Sequence, residues 1–157
     1  MPETAKTVMT SKVISIRPDD LVPAAAAVLA THNISAAPVV DAAGTLVGML
    51  SEGDLIRPFG AKNQVHRAWW LDMLAEGGEL APAFLDYIRL DLHKAADLMV
   101  RPVITVTEDT TITDIADLLA EHHIKRVPVL RDGRVVGIVS RADLVRVLAK
   151  SPEQLLA

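Results

Sequence analysis

The chain repeats itself: residues 8–57 return as residues 98–146, and no other feature of the sequence restricts its fold as much. Val13-Ile14 recurs as Val103-Ile104, His32-Asn33-Ile34 as His122-His123-Ile124 and Pro38-Val39 as Pro128-Val129. Gly48-Met49-Leu50-Ser51-Glu52-Gly53-Asp54 recurs as Gly137-Ile138-Val139-Ser140-Arg141-Ala142-Asp143. The offset is 90 residues at Val13 and 89 at Gly48, so a single loop residue is lost in the second copy. A unit of this size is too small to bury its apolar face alone, and its two copies are expected to pack about a pseudo-two-fold axis. Clefts between the copies are then the first place to expect a site.

Composition removes several function classes. With 157 residues, half of them hydrophobic, the chain has material for one ordinary core. Its net charge of -4 lacks the basic footprint that phosphate backbones require, so no nucleic-acid partner is expected. The absence of cysteine excludes disulfides, thiolate catalysis and the commonest zinc sites. No apolar run of signal-peptide length follows Met1-Pro2-Glu3-Thr4-Ala5-Lys6, which makes the cytoplasm the expected compartment. The greasiest stretch, residues 21–30, meets Thr31-His32-Asn33 far short of the roughly 20 apolar residues a membrane span needs.

Within each copy the pattern reads strand, helix, strand, strand, helix. Val13-Ile14-Ser15-Ile16 and Val103-Ile104-Thr105-Val106 are β-branched runs between turn formers and predict opening strands. Helices are expected over 21–31 and 112–122, the second with Ile112, Ile115, Ala116, Leu119 and His123 along one face. Strands should follow from Pro38 and Pro128, then over 46–50 and 135–139, joined in the second copy by the hairpin signal Asp132-Gly133. A last helix begins after Ser51 and after Ser140. The expected organisation is repeat 1 over 1–57, a linker over 58–96, repeat 2 over 97–150 and a tail over 151–157.

The linker holds all the aromatic residues of the chain, Phe59, Trp69, Trp70, Phe84 and Tyr87. Two short helices, over 65–76 and 79–92, fit its pattern. Trp69 and Trp70 would anchor it to the core or to a second copy, or cover the cleft between the repeats as a lid.

Two segments carry the chemistry, Gly48 to Asp54 and Gly137 to Asp143. Ser51 and Ser140 stand where a helix N-cap belongs, and Asp54 and Asp143 stand where an acid completes the capping box. Exposed N–H groups at a helix start also attract phosphate, while a carboxylate there can grip the vicinal hydroxyls of a ribose. The second copy adds Lys125, Arg126 and Arg141 where the first has Ser35, Ala36 and Glu52, so a phosphorylated ligand should prefer the second. Neither repeat contains an aromatic ring to stack a base.

The Pro-Val strands, the hairpins and the two Gly-h-h-Ser-x-x-Asp segments together resemble tandem CBS domains, named for cystathionine beta-synthase and also called a Bateman module. The resemblance implies an α/β (α+β) pair of β-α-β-β-α units and a homodimer of such pairs. It also implies an adenosyl ligand: AMP, ADP or ATP, or else NAD or S-adenosylmethionine, with magnesium only beside a polyphosphate. By the same resemblance Asp54 and Asp143 would hold ribose hydroxyls, with Ser51 and Ser140 beside them. Arg126, Lys125 and Arg141 would meet phosphate. The adenine would lie against the backbone at Val13, Ile14, Val103, Ile104, Ser35, Ala36, Ala37, Val127 and Pro128.

No catalytic constellation assembles from the sequence: there is no Gly-x-Ser-x-Gly elbow, no P-loop and no His-Glu-x-x-His. His32 and His122 occupy matching helix ends, which suits a structural role, and His122-His123 lacks a third metal ligand. The expected function is therefore a regulatory nucleotide sensor that acts on a partner protein. A scaffold whose Ser-x-x-Asp segments only cap helices is the rival.

Overall fold

Both copies begin one helical turn earlier than their repeated letters suggest. In the computed structural model, whose described residues are 3–57 and 93–156, a short helix α1 spans Ala5–Val8 and its counterpart α4 spans Ala95–Leu98. Ala5 and Ala95 are both fully buried, and the backbone N–H of Met9 and of Met99 closes each turn on them. The linker helices expected over 65–76 and 79–92, together with the five aromatic residues, lie outside the described residues.

After the opening turn the first copy runs α2 (Val22–Thr31), β1 (Ala36–Val40), β2 (Leu46–Ser51) and α3 (Glu52–Ile56). The second runs β3 (Val106–Thr107), α5 (Ile112–Glu121), β4 (Arg126–Arg131), β5 (Arg134–Ser140) and α6 (Arg141–Lys150), then a short α7 (Glu153–Leu156). Local chemistry explains most boundaries. The Thr111 hydroxyl accepts the Asp114 N–H to start α5, and His32 and His122 end their helices before Asn33 and His123, whose φ of 52° and 53° lies in the left-handed region. His123 therefore stands beyond the helix, exposed, and not on its buried face as its spacing suggested. Asp132 and Gly133, with φ of 53° and 78°, form the two-residue hairpin.

The opening strands are much shorter than expected. In the first copy only Ile16 bridges Val39, in parallel, and in the second only β3 joins a ladder, through Val106↔Val129 and Thr107↔Leu130. Val13, Ile14, Val103 and Ile104 are half-buried but belong to no strand. Branched side chains favour a half-buried pleated surface, yet a ladder also needs a neighbouring backbone, and Val13 N–H turns to the Ser11 carbonyl instead.

Contacts divide the described residues into two compact units that do not follow the repeats: residues 3–15, 40–47 and 102–156 form one, residues 16–39, 48–57 and 93–101 the other. The opening segments are exchanged. Thr10 pairs with Ile138 of β5 through bonds of 2.9 and 3.1 Å in the first unit, and Val100 pairs with Met49 of β2 through bonds of 2.8 and 3.0 Å in the second. In the first unit Ala5, Val106, Ile112, Ile115, Leu119, Val127, Val129, Val139 and Leu144 make the core, β4 lying between β3 and β5. Gln154 of α7 accepts the Glu3 N–H, so the tail is folded onto the same unit.

Two glycines make room for these exchanged segments. A Cβ on Gly137 would overlap the Met9 side chain, with Cγ at 2.7 Å, and one on Gly48 would overlap Met99, with Cγ at 2.8 Å. Gly137→Ala is expected to cost about 1–3 kcal/mol by overpacking. Adding Met9→Ala should recover part of that loss in a urea titration, whereas simple additivity of the two changes would refute the contact.

Candidate ligand site

Each Ser-x-x-Asp segment is a strand end turned into a helix start. Ser51 and Ser140 are extended, with φ of -117° and -113°, and their hydroxyls accept the N–H of Asp54 and Asp143 at 3.2 and 3.3 Å. In return Asp54 Oδ2 accepts the Ser51 N–H and hydroxyl at 2.9 Å each, and Asp143 Oδ2 accepts those of Ser140 at 2.7 and 3.1 Å. Both carboxylates are only 5% exposed, and burial of such groups is tolerated because the serine donors beside them bond to them. The other oxygen, Oδ1, receives a guanidinium three residues on: Arg57 at 3.0 Å in the first copy and Arg146 in the second. These arginines repeat in the sequence at a fixed distance from the aspartate. Neither was singled out there, because nothing in local spacing says toward which side a long cation turns.

The loops before β1 and β4 close onto the same helix starts. Glu52 N–H donates to the Ser35 carbonyl and Arg141 N–H to that of Lys125, both at 2.9 Å. Arg126 lies directly across the ladder from Ser140. The structure thus gathers Ser35, Ala36, Ser51 and Asp54 in one unit, and Lys125, Arg126, Ser140, Arg141 and Asp143 in the other. Ala36, Ala37, Val127 and Pro128 are buried strand residues. Val13, Ile14, Val103 and Ile104 all fall in the unit that contains Asp143.

This geometry bears on two expectations about phosphate. The helix starts were expected to offer free N–H groups to a phosphate, but those of the first and third residues are already taken by the loop carbonyl and by the serine hydroxyl. The three cations of the second copy were expected around one cleft. Lys125 and Arg141 line an open cavity of about 420 Å³ with Ala116, Leu119, Ala120, His123, Ile124 and Leu144. Among the described residues no three His, Asp or Glu side chains are grouped to hold a metal ion, and no helix is long and apolar enough to cross a membrane.

Two copies of one α+β unit, each with a β-hairpin that ends in a capping serine and a buried carboxylate at the next helix start, define a tandem-repeat module. The CBS domain family matches residues 5–60 and 95–150, and the chain belongs to that family. Among relatives, an uncharacterised protein of Methanocaldococcus jannaschii is 33% identical over 136 residues, 74% of either chain. A CBS domain pair solved with 5′-methylthioadenosine and S-adenosyl-L-methionine is 25% identical, with a TM-score of 0.72 over 95% of this chain and 98% of that one. A second solved structure, CBSX2 in complex with AMP, is also 25% identical, with a TM-score of 0.71 over 94% and 97%.

Proposed function

We infer that this protein is a non-catalytic regulatory module that binds an adenosyl ligand at its two Ser-x-x-Asp helix starts. The observation that carries the reading is the pair of buried carboxylates, Asp54 and Asp143, held identically in two copies of one unit. The similar pairs solved with AMP, S-adenosylmethionine and methylthioadenosine supply the ligand class. AMP, ADP and ATP are the first choices, NAD and S-adenosylmethionine the others, and magnesium enters only with a polyphosphate. Arg126, across the ladder from Ser140, is assigned to phosphate, with Lys125 and Arg141 beside it. The module works as a cytoplasmic homodimer and passes its ligand state to a partner protein, which requires the ligand to bind two states unequally.

Thermal unfolding followed by circular dichroism, with AMP, ADP, ATP, NAD and S-adenosylmethionine added singly, with and without magnesium, tests this. A ligand at about 100 times its Kd should raise Tm by about 5–10 °C. Absence of any shift, in folded protein free of co-purified nucleotide, favours the scaffold reading, which draws its support from the use of Oδ2 of both carboxylates in helix caps.

A further inference from the structure

An ionised carboxylate offers about four lone-pair positions to donors. In each copy three are filled: two on Oδ2 by the N–H and hydroxyl of the capping serine, and one on Oδ1 by the arginine three residues later. A ribose presents a vicinal diol, two donors for the single position left. One existing donor must therefore leave when a ribose binds. The serine is half-buried and holds the helix start, whereas the side chains of Arg57 and Arg146 are 70% and 63% exposed, so water can solvate a released guanidinium.

We propose that Arg57 and Arg146 are displaceable gates on the two ribose-binding carboxylates. Each neutralises its buried aspartate while the site is empty and gives up its place on Oδ1 to a ribose hydroxyl. This rests on the adenosyl reading above and adds to it a pair of positioning residues that lower the preference for a complete ribose. A ligand with only one ribose hydroxyl needs only the free position and leaves the arginine in place. The gate therefore works against ribonucleotides and not against their 2′-deoxy analogues, although the charge of the two ligands is the same.

The test is calorimetric titration of AMP and 2′-deoxy-AMP into wild-type protein and into the Arg57→Met/Arg146→Met variant, once melting curves establish that the variant is folded. The expected result is AMP affinity raised about two- to fivefold relative to 2′-deoxy-AMP, the scale of an exposed ion pair. Loss of the cations near a phosphate shifts both ligands together and cancels in that ratio. An unchanged or lowered ratio, with both ligands still bound, overturns the gate and leaves the adenosyl reading standing. Failure of AMP to bind any form of the protein overturns the gate, and failure of ADP, ATP, NAD and S-adenosylmethionine as well overturns the adenosyl reading with it. Should the methionine variant not fold, Arg57→Lys/Arg146→Lys keeps the charge without the planar fork; a rise in the same ratio supports the gate and no rise refutes it.

Discussion

Replacing Ile115 with alanine is expected to remove about 2–5 kcal/mol of stability. Ile115 has no exposed surface and stands at the centre of a core made by α5, β4, β5 and the first turn of α6, with Ile112 and Leu119 one helical turn to either side. The loss has two parts: the transfer free energy of the deleted carbons and the cavity they leave, since neighbours held in a sheet relax only partly. The equivalent residue of the first copy is Ala25, also fully buried. A small residue there is compatible with the fold when its surroundings are built around it, but in the second copy Val127, Val129 and Val139 are packed for isoleucine. Urea titration should show a lower midpoint at unchanged slope. Leu148→Ala, at a half-exposed position on α6, should change stability by no more than about 0.5 kcal/mol. Equal losses at the two positions would contradict this packing.

Asp143→Ala should cost about 2 kcal/mol before any ligand is considered. The change strands the Ser140 N–H and hydroxyl, removes the Arg146 ion pair and opens the cap of the ten-residue α6. Asp143→Asn keeps one oxygen at the same place and should cost roughly half as much, because one acceptor can still serve the serine N–H. The serine and aspartate act as one network, so Ser140→Ala and Asp143→Ala together should cost clearly less than their sum in a double-mutant cycle. Strict additivity would mean that the reciprocal bonds between them contribute nothing. The same experiment at Asp54 reports on α3, which has five residues and less helix to lose.

How legible each feature was depended on the range of the interaction behind it. Ser140 and Asp143 could be paired from sequence because a capping box closes within three residues, and its partners have no other geometry open to them. The hairpin at Asp132-Gly133 was equally local. Val13-Ile14 misled because side-chain preference describes a surface, while the decisive quantity was whether another backbone lay beside it.

The sequence alone determined that one unit occurs twice and where the helices after Ser51, Thr111 and Ser140 start. Those choices follow from contacts within a few residues and from a pattern written into the chain twice. Tertiary structure decided the rest: that the turn after Thr4 completes the unit containing β5, that Val100 closes the edge of β2, and that an arginine caps each buried carboxylate. These are pairings of backbone or charge whose partner is chosen by what lies nearest in space. Any exposed edge or any nearby cation could have satisfied the same groups, so their own residues do not specify the answer.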